Sequence, residues 1–198
     1  MPPSRKQDLI EAAVRVFSRD GFHASGLERI LHESGVSRMT LYNHFKSKDD
    51  LILAALHRRD HAFRADLEQA VNAAGPDAIS RLGALFDHYE RWFTSDDFRG
   101  CLFINAAAEF IDPASEPRRI AADHKLEITR LIRTLCEGLS CADPEHAAEQ
   151  ISLLIDGAIV SAHVIAQAWQ TDRAAPARAA RDMAMLVIER ESAASSHA

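Results

Sequence analysis

The sequence contains little of what β-sandwiches, disulfide frameworks and membrane proteins require. Eight glycines and seven prolines in 198 residues are too few for the frequent turns of an all-β sandwich. Three cysteines, an odd number without metal-ligand spacing, argue against a disulfide framework and a structural zinc site. No run approaches the ~18 uninterrupted apolar residues of a membrane span, and no apolar segment follows the N-terminal positive charges. These features predict a soluble, cytoplasmic protein with no cofactor and no membrane partner.

Charge is unevenly distributed along the chain. The net charge is −6, yet residues 1–48 carry eight Lys and Arg against five Asp and Glu, whereas the remaining residues carry 15 against 24. The overall acidity does not exclude nucleic-acid binding, because the local field of the docking surface steers the encounter. The basic N-terminal segment is therefore a candidate nucleic-acid-binding region.

Apolar residues recur with helical spacing along most of the chain. In the first segment they occupy positions i, i+3, i+4, i+7 and i+8 from Leu9, which predicts a helix over 4–20 that Gly21 ends. No stretch shows sustained strand alternation, so the fold class is all-α. Beyond residue 46 the pattern predicts helices near 47–73, 77–95, 101–111, 116–138, 144–170 and 174–191.

Two short helices around a glycine turn are predicted next. Ser25 and Glu28 have the spacing of a capping box and open the first of them. Gly35 suits a left-handed turn, and Ser37 can cap the second short helix, near 37–43. A helix, tight turn and helix stacked on a preceding amphipathic helix is the plan of a three-helix DNA-binding unit.

The second short helix is the candidate recognition helix. Leu41 and Phe45 can anchor it to the core, which leaves its polar residues for DNA. Thr40 can contact a thymine methyl or a base edge, and Arg38 can reach guanine or phosphate. Tyr42, His44 and Lys48 suit phosphate contacts. The predicted DNA-binding residues are Ser37, Arg38, Met39, Thr40, Tyr42, His44 and Lys48.

The run from Gly35 to Leu51, GVSRMTLYNHFKSKDDL, resembles the signature of the TetR family of bacterial transcriptional regulators. Residues 4–51 match the N-terminal domain of that family, although Met39 stands where many members have glycine. The resemblance implies about nine helices per subunit, with a helix-turn-helix domain at 1–46 and a ligand-binding and dimerisation domain at 47–198. It also implies a homodimer that binds a palindromic double-stranded operator, acts as a repressor and is released by a small organic effector.

The resemblance further implies that the last two helices pair across the two-fold axis of the dimer. The segment 144–170 is apolar nearly all round and includes small residues suited to close helix packing, and 174–191 supplies its partner. Burial within one subunit is the alternative reading of this pattern. The predicted interface residues are Ile151, Leu154, Ile155, Ala158, Ala162, Ile165, Met183 and Val187.

Aromatic and polar residues mix on the middle helices, as a pocket for a small organic effector requires. An ordinary aromatic core gives the same pattern, so both readings stay open. If Glu109 is buried, it favours a cationic or hydrogen-bond-donating effector. The predicted ligand-binding residues are Phe63, Phe86, Tyr89, Trp92, Phe93, Cys101, Asn105 and Glu109.

Two further readings concern reactive side chains. Cys101 begins a helix, where backbone N–H groups can activate a thiol, so an electrophile or oxidant sensor is an alternative to a small buried hydrophobe. His57 and His61 lie four residues apart, a spacing that can bind metal, but no companion ligand is evident and no metal is predicted. A small helical enzyme is the remaining alternative. Because the sequence contains no nucleophile, phosphate-loop or paired-acid motif, the prediction is that the protein is not an enzyme.

Overall fold

The computed structural model describes residues 4–195, apart from the side chains of Gln167 and Ser195. Across these residues the chain is helical, with no β-strand, so the all-α prediction is confirmed. The described part has nine helices when the consecutive segments from Pro144 to Trp169 are counted as one.

Each predicted helix is present, with ends that differ from the prediction by a few residues. The eighth helix contains a π-helical segment, which the apolar pattern did not indicate. The helices are α1 (Arg5–Asp20), α2 (Leu27–Ser34), α3 (Arg38–His44), α4 (Lys48–Ala73), α5 (Ala78–Thr94), α6 (Leu102–Glu109), α7 (Glu116–Gly138), α8 (Pro144–Ser161, continued by π-helical Ala162–Ala166 and a last turn Gln167–Trp169) and α9 (Ala175–Ser195).

The chain divides into two compact units. Unit 1 comprises Met1–Phe63 and Cys101–His124, and unit 2 comprises Arg64–Gly100 and Lys125–Ala198. Helices α4 and α7 therefore contribute to both units. The predicted domain boundary follows residue 46, whereas the contacts of the folded chain group α6 and the first part of α4 with α1–α3.

In unit 1, α1 begins and ends as its sequence predicts. The Ser4 hydroxyl accepts a hydrogen bond from the Gln7 N–H at 3.3 Å, and Gly21 ends the helix with a φ of 82°. That φ is accessible to glycine and strained for other residues. The predicted apolar stripe of α1 is fully buried: Leu9, Ala12, Ala13, Val16 and Phe17.

The predicted cap of α2 is wrong. Gly26 occupies the N-cap position without a side-chain hydrogen bond, and α2 begins at Leu27. The buried Ser25 hydroxyl instead donates to the Gly21 carbonyl at the end of α1. Glu28 does not reach back to the cap but pairs with Arg38 on α3. The hydroxyl of Ser25 therefore ties the loop to α1 rather than capping α2.

The turn and the next two helix starts follow the sequence. Gly35 is left-handed with a φ of 64°, and the Ser37 hydroxyl accepts from the Thr40 N–H at 3.2 Å. At the start of α4, the Asp50 N–H donates to Ser47 Oγ at 3.1 Å while the Ser47 N–H donates to Asp50 Oδ2 at 3.2 Å. This reciprocal pair is a capping box in which Asp replaces the usual Glu.

In unit 2, α8 and α9 pack side by side. The side chains of Ile151, Ile155 and Ile159 of α8 and those of Ala184 and Ile188 of α9 are buried inside the subunit. One stretch, Pro144–Ala166, is long and apolar enough to cross a membrane by length and composition alone. The core helix of a globular protein meets the same criterion, and a third of the apolar window is buried inside the subunit.

Candidate nucleic-acid interface

Helix α3 has one apolar side in the core and one polar side in solvent. Leu41 and Phe45 are buried, with 1% and 4% of their surface exposed, which holds the helix in the unit 1 core. Met39 and Tyr42 face outward with 77% and 54% exposure. Of the other predicted DNA-binding residues, Ser37, Arg38 and His44 are exposed, whereas Thr40 and Lys48 are half-buried.

Several of these side chains already have protein partners. Arg38 donates to the Glu28 carboxylate of α2. Because both side chains are more than 60% exposed, with values of 62% and 71%, this ion pair contributes at most about 1 kcal/mol. Ser37 Oγ lies 2.9 Å from Thr40 Oγ1, and Lys48 Nζ donates to the His23 carbonyl at 3.3 Å.

Other basic residues of the N-terminal segment are neutralised on a different surface. Arg15 and Arg19 of α1 both contact Glu33 of α2, at 2.7 and 3.1 Å, and Arg29 contacts Asp20 at 3.2 Å. Burial opposes ionisation of Glu33, but the hydrogen bonds from the two arginines outweigh it, so the pKa of Glu33 is lowered. This network stabilises the pairing of α1 with α2 and lies apart from Arg38, Lys46 and Lys48, the lysine and arginine residues in or next to the recognition helix.

Glu109, at the end of α6, binds the loop between α1 and α2. Its carboxylate accepts hydrogen bonds from the Phe22 N–H at 2.9 Å and the His23 N–H at 2.8 Å. A Cβ atom at Gly21 would stand 2.9 Å from Glu109 Oε1, so the loop approaches this closely because Gly21 has no side chain. Glu109 was predicted as a ligand-binding residue; its observed partners are backbone amides of the N-terminal segment.

Two neighbouring groups hold the end of α6 in place. The Phe110 ring packs against Phe22 and His23, with ring centroids 5.5 and 4.9 Å apart. Arg118 of α7 donates to the carbonyls of Ala107 and Ile111 at 3.0 and 3.3 Å, where α6 leaves carbonyls without helical partners. The sequence offered no local signal for this contact, because Glu109 and Phe22 are 87 residues apart.

The other predicted ligand-binding residues lie in both units. Phe63, Cys101 and Asn105 belong to unit 1 with Glu109, whereas Phe86, Tyr89, Trp92 and Phe93 belong to unit 2. In unit 2, Phe98 joins the aromatic cluster, with ring centroids 5.1 Å from Trp92 and 5.2 Å from Phe93. The ligand-binding assignment stays a prediction.

Unit 1 contains a buried polar pair that sequence reasoning missed. The imidazole of His124, 5% exposed, lies 2.8 Å from the Asp60 carboxylate through Nδ1. It stacks on Phe103 with a centroid distance of 3.7 Å and meets the edge of Phe63 at 5.7 Å. A single histidine in a helical pattern carries no signal that would have identified it.

The predicted interface residues divide between two sides of the α8–α9 pair. Ile151, Ile155, Ala158 and Ala162 are buried inside the subunit, Leu154 and Val187 are half-buried, and Ile165 and Met183 are exposed. A helix that is apolar nearly all round does not reveal from its sequence which side faces outward. The outward apolar face, so named hereafter, consists of Leu153, Val160, Val164, Ile165, Trp169, Met183 and Leu186.

A groove of about 560 Å³ runs between α8 and α9 beside the outward apolar face. Its walls are mostly apolar or small, with one charged side chain, that of Asp172, which pairs with Arg178. They include Leu153, Gly157, Ile165, Ala179 and Met183, with hydroxyl groups from Ser161 and Thr171.

The cysteine and histidine candidates have the following positions. Cys101 is buried at the N-cap of α6 and accepts no capping hydrogen bond through its side chain. His57 and His61 are exposed. Among the described residues, no group of three or more His, Cys, Asp or Glu side chains is arranged to hold a metal ion.

Comparison with known proteins gives matches over both parts of the chain. Residues 9–55 match the sequence profile of bacterial regulatory proteins of the tetR family, and residues 78–183 match that of the tetracyclin repressor-like C-terminal domain. The chain is 26% identical to the HTH-type transcriptional repressor ComR of Escherichia coli over 161 residues, 77% of each protein. It is 40% identical to the HTH-type transcriptional activator FasR of Mycolicibacterium smegmatis over 67 residues, and spans only 31% of that protein.

The fold is similar to that of a crystallised TetR-family transcriptional regulator from Streptomyces coelicolor. The two share 30% sequence identity and a TM-score of 0.85, over 95% of this chain and 96% of the other.

Proposed function

The chain is a member of the TetR family of bacterial transcriptional regulators, and from that premise we propose that it is a cytoplasmic repressor that a small organic effector releases from its operator. The observation that carries the proposal is the two-sided α3. Its apolar side is locked into unit 1 by Leu41 and Phe45, and its polar side is open to a major groove.

DNA contacts divide into those that read bases and those that position the protein. Arg38 and Thr40 are the base-reading candidates, since a guanidinium can bind guanine and a threonine can meet a thymine methyl. Tyr42, His44 and Lys48 contact phosphates, and Met39 supplies apolar contact area at the centre of α3. Ser37 acts through its cap on α3, which fixes the start of the recognition helix.

Dimerisation through the outward apolar face is supported by its area. Its seven large side chains expose between 45% and 77% of their surfaces. At roughly 100 Å² each they supply about 700 Å² per subunit, close to the ~800 Å² per partner of a stable interface. Two recognition helices related by a two-fold axis require half-sites about 34–36 Å apart, hence a palindromic operator.

Effector release needs a difference in affinity between two states of the protein. A ligand lowers operator affinity only as far as it binds the DNA-incompetent state more tightly. Helix α4 contributes to both units, and α6 places Glu109 against the α1–α2 loop, so both helices are candidates to carry the change. Repression rather than activation is supported by ComR, a named repressor matched over 77% of its length.

Selection from random duplex DNA followed by a mobility-shift assay tests this function. We expect an enriched palindrome whose binding weakens with salt. Arg38→Ala should lose about fivefold to 150-fold in affinity and relax one base position in each half-site. Arg119→Ala, an exposed arginine of α7, is the charge-matched control and should leave the base preference unchanged. If no sequence is enriched with the parent protein, the proposal is wrong.

A further inference from the structure

We propose that Trp169 of each subunit inserts into the groove between α8 and α9 of a second copy and anchors the dimer. This inference rests on the proposed homodimer and adds the residue that holds it together. The groove is the one lined by Leu153, Gly157, Ile165 and Met183.

The exposure of Trp169 is the first observation. In the isolated subunit, 77% of its surface is in solvent, equal to Met39 on the recognition helix and above every other member of the outward apolar face. An indole group is the largest apolar side chain, and an apolar side chain of this size left in solvent is costly unless a partner covers it. Tryptophan is also the residue type most enriched among those that dominate binding energy at interfaces.

The groove provides a matching receptor. Its volume of about 560 Å³ lies in the ~300–1,000 Å³ range of sites that enclose ring-containing ligands. Its floor is open at Gly157, where an added Cβ atom would meet nothing within 4 Å. Ser161 and Thr171 offer hydroxyl oxygens at the groove wall, so the indole N–H can find an acceptor when it is buried.

Symmetry connects the two features. Trp169 lies about one helical turn after Ile165, which lines the groove, so the tryptophan and the groove are neighbours on one subunit. In a two-fold dimer each patch meets the identical patch, so a protrusion and a groove that lie side by side on one subunit pair twice. The area of the outward apolar face, close to that of a stable interface, favours a second copy over a smaller occupant.

Sedimentation equilibrium over a dilution series tests the anchor. Trp169→Ala should raise the dimer dissociation constant at least about thirtyfold, the threshold of a dominant interface residue. Trp169→Phe should recover part of this loss, because a smaller ring still fills part of the groove. Ile111→Ala removes a side chain that is 80% exposed in unit 1 and serves as the matched control, with no expected change.

Changes in the groove test the other half of the pair. Gly157→Leu should fill the groove and weaken the dimer, and the subunit leaves room for the added Cβ atom, which would meet nothing within 4 Å. If the indole occupies the groove, Gly157→Leu and Trp169→Ala remove the same contact and their effects should not add. Additive effects would show that the tryptophan binds elsewhere.

The possible outcomes separate the two proposals. If the parent protein sediments as a monomer at all concentrations, the proposed homodimer fails and the anchor fails with it. If the parent is a dimer and Trp169→Ala has the same dissociation constant, the anchor alone is refuted. Subtracting the fluorescence spectrum of the Trp169→Phe dimer from that of the parent dimer isolates the emission of Trp169. This emission should lie at the short wavelengths of a buried indole. Emission at the longer wavelengths of a water-exposed indole would also refute the anchor.

Discussion

Glu109→Gln tests whether one carboxylate holds the loop between α1 and α2. The substitution keeps the size of the side chain and removes its charge. In the parent, both oxygens accept, from the Phe22 N–H at 2.9 Å and the His23 N–H at 2.8 Å. An amide has one oxygen, so one of these two N–H groups would face an NH₂ group instead of an acceptor.

The expected loss follows from that geometry. A hydrogen bond to a charged group contributes about 1.5–3 kcal/mol, and a donor left without a partner adds to the cost. The Glu109 side chain is 28% exposed, so water compensates part of the loss. We therefore expect a local destabilisation of about 2 kcal/mol, which corresponds to an opening equilibrium raised roughly thirtyfold.

Amide hydrogen exchange followed by NMR measures this opening at the two residues concerned. Protection of the Phe22 and His23 amides should fall about thirtyfold in Glu109→Gln, while amides in the centre of α1 keep theirs. Glu116→Gln, an exposed acid in the first turn of α7, is the matched control. Unchanged protection at Phe22 and His23 would refute the argument that the carboxylate holds this loop.

Two further predictions concern a cap and a buried thiol. Ser37→Ala should lower the free energy of unfolding by about 1 kcal/mol, because the α3 N-cap hydrogen bond from the Thr40 N–H is lost. Ser37→Asp should restore the stability measured by thermal unfolding, because aspartate also caps helices. Its negative charge should nevertheless weaken DNA binding. Burial is the largest cause that raises the pKa of the Cys136 thiol to about 12, and the neighbouring Cys141 raises it further. At a pH between the ordinary thiol pKa and this value, the native state keeps a proton that the unfolded chain releases. The contribution of Cys136 to stability should therefore be constant below about pH 8.5 and fall above it by up to ~1.4 kcal/mol per pH unit, so urea titrations above pH 8.5 should show a less steep loss of stability in Cys136→Ala. Equal slopes in the two proteins would contradict this.

Local signals in the sequence predicted much of unit 1. The period of α1, the left-handed Gly35 and the Ser37 cap depend on neighbours within one helical turn, and the structure confirms each of them. Ser25 shows where such signals fail. Its hydroxyl had two possible partners, the backbone of α2 and the Gly21 carbonyl, and the folded loop selected the second.

Longer-range features had no comparable signal. The division of α8 into an inward and an outward side depends on how α9 packs against it, and both sides of α8 are apolar. Periodicity could not tell these sides apart. Ile151 and Ile155 were therefore predicted at the interface, whereas the structure buries them inside the subunit. Glu109 was recognised as a polar residue among aromatics, which fits a pocket equally well. Only the folded chain shows that its partners are amides 86 and 87 residues away.

The contacts of Glu109 connect the helix-turn-helix domain, formed by α1–α3, with α6. The backbone of His23 accepts from Lys48 at the start of α4 through its carbonyl and donates to Glu109 at the end of α6 through its N–H. The backbone of one residue therefore links the helix that follows the recognition helix to a segment from the middle of the chain. Glu109 can approach the loop this closely because Gly21 has no side chain. The two hydrogen bonds of Glu109 are 2.8 and 2.9 Å long, so a movement of α6 away from the loop by about 1 Å would break them. The loop that supports α2 and α3 must then follow α6 or lose its partners.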